Sequence, residues 1–215
     1  MQRSEKVLHR IDSRGRGLEI GPSYGPIAPK RAGFHVDILD HLDRDALMRK
    51  YQNAPGVDVD QIEPVDYIWN GEPYAELIGK TKCYDWIIAS HLIEHTPDLI
   101  GFLNDCDSVL KDTGVLSLVI PDARYCFDHF RPLTGLSKII DAHLNRQRIH
   151  TAGTVAEYFL NFVTRGGQIA WDAKTSGPFA FSHSPDQPGA RLRHSCSNMR
   201  TSTSTPGASL RTRSG

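Results

Sequence analysis

The first 125 residues alternate short apolar runs with amphipathic segments. Apolar runs at 17–20, 34–39, 65–69, 84–90 and 115–120 predict five β-strands. The run at 84–90, YDWIIAS, is apolar after Asp85 except for its final serine, as expected of a strand covered on both faces. Strands that alternate with helices in this way predict a mainly parallel sheet in a doubly wound α/β fold, with helices on both faces.

The clearest helix is predicted directly after the fourth apolar run. Thr96 suits the N-cap, Pro97 the first turn and Gly114 the C-terminal stop. Its apolar positions recur at 4-3-4 spacing: Leu99, Leu103, Cys106 and Leu110.

Two further helices are predicted nearer the C-terminus. The first has one apolar face, formed by Leu136, Ile139, Ile140, His143 and Leu144. His143 on this face is interpreted as a core histidine. The second helix is predicted to begin at a capping box, Thr154-x-x-Glu157.

Composition and charge exclude several classes of partner. The 215 residues are 39% hydrophobic and carry 25 basic against 25 acidic side chains, so no net field favours nucleic acid or a membrane surface. No apolar run is long enough to span a membrane, and the N-terminus has no apolar signal region. Four scattered cysteines are typical of reduced thiols, so we expect a cytoplasmic protein. One domain over 1–185 is expected, followed by a disordered tail at 186–215, which is rich in Arg, Ser and Thr.

A glycine-containing turn follows the first apolar run and indicates a ligand site. It reads Gly21-Pro-Ser23-Tyr-Gly25. A dinucleotide would need G-x-G-x-x-G before a regular helix, and Ser23 together with the prolines at 26 and 29 disfavours it. Asp40 ends the second run, 19 residues after Gly21, where an acid suits a pair of ribose hydroxyls. The turn could also be an ordinary strand–helix connection. With Asp40, it favours a cofactor that has a ribose but no pyrophosphate.

A family resemblance rests on four stretches of sequence. LEIGPSYGP, the strand-end Asp40, YDWIIASHLIEH and DLIGFLNDCDSVLKDTGVLSLVIPD resemble class I S-adenosylmethionine-dependent methyltransferases in order and spacing over roughly residues 15–125. The SH-x-IEH and PD-x-RYCFDHFRP signatures are similar to those of bacterial methyltransferase-domain proteins. The resemblance implies a Rossmann-like fold and S-adenosyl-L-methionine as the cofactor.

The resemblance also implies roles for individual residues. The first strand and its turn would bind the methionine end of the cofactor, and Asp40 would bind the ribose. The residue after the third strand would bind the adenine, and the residues after the fourth strand would lie where the cofactor and the substrate meet. The implied cofactor-binding residues are Glu19, Gly21, Ser23, Gly25, Asp40, Asn70, Ser90 and His91. His91 is the candidate catalytic base. Asp122 is the second catalytic candidate, and the segment 124–129 after it is either a substrate wall or a packed loop.

The motif His91-x-x-Glu94-His95 has a separate interpretation as the zinc site of a hydrolase. That site needs both histidines on one regular helix, but the motif follows a strand directly and precedes Pro97. No metal is therefore expected. Glu94 and His95 stay candidate ligands for a cation, and the preferred interpretation is that they orient the loop by hydrogen bonds.

The functional hypothesis is methyl transfer to oxygen or nitrogen of a small-molecule or glycan-type acceptor. The alternative is a non-catalytic protein of the same fold that at most binds the cofactor. Related proteins continue with a segment like EYIDVHAWRFTP where this chain has TSTSTPGAS, which suggests a frameshift near 185–198. Two C-terminal edge strands of the sheet would then be missing. The oligomeric state is left open.

Overall fold

The computed structural model describes residues 3–181. The chain forms two compact units. The first comprises Met1–Asp122 and Leu133–Ile149, and the second comprises Ala123–Pro132 and His150–Gly215. The predicted tail at 186–215, the domain boundary near 185 and the frameshift lie outside the described residues and stay predictions.

The first unit contains five strands and five helices within its described part. In chain order they are α1 (Arg3–Leu8), β1 (Gly17–Ile20), β2 (Val36–Asp40), α2 (Arg44–Tyr51), β3 (Tyr67–Ile68), α3 (Tyr74–Ile78), β4 (Tyr84–Ser90), α4 (Leu99–Val109), β5 (Leu110–Val119) and α5 (Leu136–Leu144). The five predicted strands are all present. β1 and β4 have the predicted bounds, whereas β2 and β3 are shorter than predicted.

The strands form one parallel sheet in the order β3-β2-β1-β4-β5. Gly17 pairs with Val36 on one side and with Trp86 on the other, so β1 lies between β2 and β4. Chain order therefore reverses between β1 and β4, which is the switch point of a doubly wound fold. The Rossmann-like α/β prediction is confirmed.

Apolar side chains cover both faces of this sheet. On one face Leu18 and Ile87 pack with Phe102 of α4 in the larger cluster. On the other face Ile38 and Trp86 pack in a second cluster that includes Val7 of α1. Alternate residues of one strand thus serve opposite clusters, and this explains why the strands read as continuous apolar runs.

The α4–β5 connection differs from its prediction. The helix is capped by Asp98, whose Oδ1 accepts a hydrogen bond from the Gly101 N–H at 2.8 Å, and not by Thr96. It ends at Val109, and β5 begins at once because Leu110 pairs with Tyr84. Gly114 is therefore inside the strand, at an irregularity of the register, and the prediction that it stops the helix is wrong.

Two other predictions for helices need correction. The His143 side chain is about a third exposed, and its Nδ1 lies 3.0 Å from Asp98 Oδ2, so this residue links α5 to the start of α4 and is not a core histidine. The last helix, α6 (Ala152–Asn161), is capped by Thr151, which accepts a hydrogen bond from the Thr154 N–H at 3.2 Å. Thr154 is thus inside the helix and not its cap.

The second unit is held together by aromatic packing. It contains α6 and an antiparallel pair, β6 (Val163–Arg165) and β7 (Phe179–Phe181). Phe127 stacks on Phe162 with ring centroids 4.9 Å apart, and His129 stacks on Phe179 at 4.7 Å. Within residues 3–181 the main sheet has five strands, all parallel, so neither of the two further edge strands is present there.

Candidate functional site

The switch point places two loops side by side at the carboxyl edge of the sheet. The turn at 21–25 follows β1, and the segment at 91–95 follows β4, the neighbouring strand. A Cβ added to Gly21 would lie 2.9 Å from Leu92 Cδ1, so the two loops are in close contact. In open α/β sheets this crevice is where ligands bind.

The turn after β1 is held in the left-handed backbone region at two positions. Gly21 has φ +63°, which costs a glycine nothing. Ser23 has φ +48°, where a residue with a Cβ is strained. Gly25 has no positive φ, and a Cβ added there would meet no protein atom within 4 Å. The serine therefore adopts the conformation that a glycine would take at this position.

Glu19 stabilises this turn by hydrogen bonds to the backbone that follows it. Its carboxylate is buried, and it accepts hydrogen bonds from the Ile27 N–H at 2.7 Å and the Ala28 N–H at 3.0 Å. Burial raises the pKa of this carboxyl above its ordinary value, although the two N–H donors and the charge of Arg3 oppose the rise. Both oxygens serve the protein's own backbone, so Glu19 can act on a ligand through the shape of the loop.

Asp40 lies at the end of β2, beside the turn, and is 2% exposed. Its Oδ2 accepts from the Ser23 N–H at 2.9 Å, whereas the Ser23 hydroxyl is 3.5 Å away. Its Oδ1 accepts from the His41 N–H at 2.7 Å and lies 2.5 Å from His41 Nδ1. Since a carboxylate oxygen can accept two donors, a ligand hydroxyl on Oδ2 would take the place of the distant Ser23 hydroxyl. A second hydroxyl on Oδ1 would have to displace the His41 ring.

Asn70 follows Trp69, whose N–H donates to the Asp40 carbonyl at 2.9 Å. It follows β3, the edge strand on the β2 side. Its amide donates to the Ile68 carbonyl at 3.3 Å, and its N–H donates to Glu72 Oε2 at 2.8 Å. These bonds shape the exposed loop after β3, and its contact with adenine stays a prediction.

Ser90 is the last residue of β4 and His91 follows it, so both lie at the predicted end of the strand. The Ser90 hydroxyl accepts a hydrogen bond from the Arg3 guanidinium of α1. His91 has φ +52°, and its N–H donates to the Val119 carbonyl of β5 at 2.9 Å. Its side chain is half exposed, and Nδ1 lies 3.6 Å from Glu94 Oε1. The backbone of His91 is therefore fixed at the switch point, and its imidazole is half exposed there.

The His91-x-x-Glu94-His95 motif does not form a regular helix. Ile93–His95 is a single 3₁₀ turn, and α4 begins only at Leu99. Over residues 3–181 no three His, Cys, Asp or Glu side chains come together in a group able to hold a metal ion. The geometry therefore gives no support to a zinc hydrolase. Glu94 Oε2 is buried without a hydrogen-bond partner among the described residues.

Asp122 is exposed three residues after the end of β5. The segment after it belongs to the second unit, where His129 Nδ1 lies 3.0 Å from the Arg124 carbonyl and Phe127 packs on Tyr158. These contacts are those of a packed loop. The catalytic role of Asp122 and the substrate wall at 124–129 stay predictions.

The structure adds residues to the edge that sequence reasoning missed. His41 covers Asp40, and its Nε2 lies 2.9 Å from Lys50 Nζ of α2. Leu92 packs against the glycine turn. His41 could have been found because it follows the strand-end acid directly, whereas the contact of Leu92 has no signal in the sequence. No helix among the described residues is both long and apolar enough to cross a bilayer.

Comparison with known proteins gives one family match and several similar folds. The family described as a methyltransferase domain matches residues 2–175. The trans-methyltransferase CalH, solved in complex with SAH, is 20% identical with a TM-score of 0.36, over 50% of this chain and 32% of that chain. The Haemonchus contortus phosphoethanolamine N-methyltransferase 2, solved in complex with S-adenosyl-L-methionine, is 16% identical with a TM-score of 0.35, over 72% of this chain and 35% of that chain. The chain thus spans about a third of the length of these two proteins. No curated protein sequence matches the chain.

Proposed function

Because the chain belongs to the methyltransferase-domain family, we propose that it transfers a methyl group from S-adenosylmethionine to oxygen or nitrogen of a small-molecule or glycan-type acceptor. S-adenosylmethionine is the cofactor of the class I family that the sequence resembles. The acceptor class, the atom methylated and the activity of this chain are part of the proposal.

One observation carries the proposal, namely the arrangement at the switch point. The glycine turn after β1, the acid at the end of β2 and the histidine at the end of β4 meet at one edge of the sheet. Ser23 and Asp40 are joined by a hydrogen bond, so the turn and the acid are one unit. An adenosine lying across β1 and β2 would meet both.

The residues present fit the cofactor in two respects. Asp40 Oδ2 has one close donor, the Ser23 N–H at 2.9 Å, and a ribose hydroxyl would replace the Ser23 hydroxyl, which is 3.5 Å away. The turn at 21–25 offers backbone without side-chain obstruction at Gly25, where a Cβ would find only open space. Gly25 thus leaves room for the sulfonium end, whereas Gly21 packs against Leu92, and Glu19 keeps the turn in this shape.

When bound, S-adenosylmethionine supplies an activated methyl group, whose bond to sulfur breaks as the bond to the acceptor forms, leaving S-adenosylhomocysteine. The protein must align the acceptor and exclude water, and positioning of this kind is worth up to about 7–11 kcal/mol. His91 is the proposed base. It would take the acceptor's proton on its imidazole, whose Nδ1 faces Glu94 and whose Nε2 is left for the acceptor. Asp122 is proposed as a second acid–base group after β5.

Calorimetric titration with S-adenosylhomocysteine tests the cofactor site. We expect Asp40→Asn to weaken binding by about 10- to 100-fold, because hydrogen bonds to a charged carboxylate are lost. Asp60→Asn removes the same charge from an exposed turn and should leave affinity unchanged. Thermal unfolding of both variants shows whether they are folded. If the wild-type chain does not bind the cofactor product, the proposal is wrong.

Transfer itself is tested with labelled S-adenosylmethionine and fractionated cell extract. We expect label in a small-molecule or glycan fraction, and its loss in His91→Gln, with calorimetry of the variant separating loss of transfer from loss of cofactor binding. Binding without transfer to any fraction would favour the non-catalytic alternative. Transfer only to a protein or nucleic-acid fraction would refute the acceptor class.

A further inference from the structure

Glu94 has a buried oxygen atom that the protein leaves without a partner. The side chain is about one-fifth exposed, and Oε2 is inaccessible and accepts no hydrogen bond from the described residues. Oε1 faces His91 Nδ1 at 3.6 Å, which is longer than a hydrogen bond. A buried carboxylate oxygen without a donor is unfavourable, and Glu94 lies in the turn after β4 at the switch point, where a donor on a bound ligand would satisfy it.

The other two carboxylates of the edge are already engaged. Glu19 accepts from the backbone N–H groups of Ile27 and Ala28. Asp40 accepts from Ser23 and His41. Of the three, Glu94 is the one with an oxygen that has no protein donor.

The position of Glu94 relates it to one end of the cofactor. It follows Leu92 by two residues, and Leu92 packs against Gly21 at the tip of β1. Asp40, the proposed ribose ligand, is at the tip of β2, on the opposite side of β1 from β4. A cofactor held by its sugar at β2 and lying across β1 would therefore bring its amino-acid end toward the loop after β4.

The geometry points to Glu94 as the ligand of the α-ammonium group in the methionine part of the cofactor, an inference that rests on the proposed function. A full negative charge with an unpartnered oxygen is best satisfied by a cationic donor, because charge-assisted hydrogen bonds are about twice as strong as neutral ones. Glu94 thereby takes the place predicted for Glu19, which acts through the loop.

Two other donors for Oε2 are less well supported. A metal ion would need further ligands, and no group of three ligating side chains occurs within residues 3–181. An O–H or N–H donor on the acceptor substrate would also satisfy Oε2. The two sources are separable because cofactor binding can be measured with no acceptor present.

The experiment compares two ligands on three forms of the full chain. The ligands are S-adenosylhomocysteine and its desamino analogue, in which hydrogen replaces the ammonium group. The proteins are wild type, Glu94→Gln, and Glu76→Gln, which removes an exposed glutamate of α3 as a matched control. Calorimetry gives each affinity, and thermal unfolding shows that each variant is folded. Glu94→Gln should be at least as stable as wild type, because the unpartnered charge is gone.

We expect Glu94→Gln to weaken the binding of S-adenosylhomocysteine by about 10- to 100-fold, because a hydrogen bond to a charged group is lost. Wild type should bind the desamino analogue more weakly than S-adenosylhomocysteine by a similar factor. Glu94→Gln should not weaken the binding of the analogue further, because two groups that contact each other contribute one shared interaction to the thermodynamic cycle. Glu76→Gln should change neither affinity.

Several outcomes would overturn the inference. If Glu94→Gln weakens the binding of both ligands equally, Glu94 has a structural role. If it weakens the binding of neither, Glu94 does not contact the ammonium group. Heat from Mg²⁺ alone, lost in Glu94→Gln, would assign Oε2 to a cation. If Glu94→Gln does not fold, equal affinity of wild type for the two ligands still refutes the ammonium contact. If wild type binds neither ligand, it is the proposed function that fails.

Discussion

Replacing Glu19 by glutamine tests how the turn after β1 is held. In wild type the buried carboxylate accepts two backbone N–H groups, at 2.7 and 3.0 Å. Glutamine keeps one acceptor oxygen and presents an NH₂ group to the other backbone donor. A buried N–H left without an acceptor costs about 1–3 kcal/mol. Because Glu19 is 1% exposed, solvent cannot supply the missing acceptor, and Glu19→Gln should lower the free energy of unfolding by that amount.

The size of this loss should depend on pH. Burial raises the pKa of Glu19 above its ordinary value of 4.5, so the folded chain holds this proton more tightly than the unfolded chain does. The stability that the raised pKa contributes is therefore full below about pH 4.5 and is lost as the pH rises through the folded-state pKa. Glutamine does not titrate. The difference in free energy of unfolding between wild type and Glu19→Gln should thus be largest at acid pH and become smaller as the pH rises.

Urea unfolding followed by tryptophan fluorescence at pH 5 and pH 8 measures both effects. Trp86 is fully buried at the centre of the sheet and reports unfolding of the first unit. Glu76→Gln changes an exposed glutamate and should stay within about 0.5 kcal/mol of wild type at both pH values. The reasoning is refuted if Glu19→Gln is as stable as wild type at pH 5, or if the difference widens toward pH 8.

Two pairs of substitutions test the backbone of the edge and the close approach of β1 to β4. Ser23 has φ +48°, so Ser23→Gly should leave the free energy of unfolding unchanged or raise it by up to about 1 kcal/mol. Ser23→Val should lower it by about 1–2 kcal/mol. If urea unfolding finds the valine variant more stable than the glycine variant, Ser23 is not strained. A Cβ on Gly17 would lie 2.1 Å from the Trp86 ring, so Gly17→Ala should destabilise by about 3 kcal/mol or more, whereas Gly25→Ala, with no neighbour within 4 Å, should be close to neutral. Equal unfolding midpoints for the two alanine variants would show that the sheet adjusts freely.

The sheet could be predicted from the sequence because its strands are buried on both faces. β4 reads YDWIIAS, and five of its seven residues are buried. All four residues of β1 are buried. Where burial is incomplete, the apolar pattern does not mark the ends of a strand. β3 is predicted at 65–69 but extends only over Tyr67–Ile68.

Which face of each helix is buried, and where each helix ends, could not be predicted from the sequence in the same way. On α4 the stripe through Leu103 and Cys106 was predicted, but Phe102, Cys106 and Val109 are buried and Leu103 is 39% exposed. Residues 102 and 103 fit a 3.6-residue period equally well, and packing against the sheet selects between them. The helix also ends early because Leu110 finds a partner in β4, which is a long-range contact.

The sequence predicted that the candidate carboxylates lie near strand ends, where the structure also has them, but it could not orient them. The spacing of Glu19, Asp40 and Glu94 relative to strand ends follows from topology alone. Which oxygen is satisfied by which donor depends on the path of the turn, and that path brings Ile27 and Ala28 back over Glu19. A carboxylate that the sequence assigned to the ligand thus turns to the backbone.

Backbone strain gives an independent reason to place function at this edge. Four non-glycine residues among those described have positive φ, and two of them, Ser23 and His91, follow β1 and β4 at the switch point. Strained residues persist where surrounding contacts hold them, and here the contacts are Ser23 N–H to Asp40 and His91 N–H to Val119. Both bonds tie a loop to a strand of the central sheet. The protein therefore fixes the two sides of the crevice in conformations that neither residue prefers, as expected of a site organised before its ligand arrives.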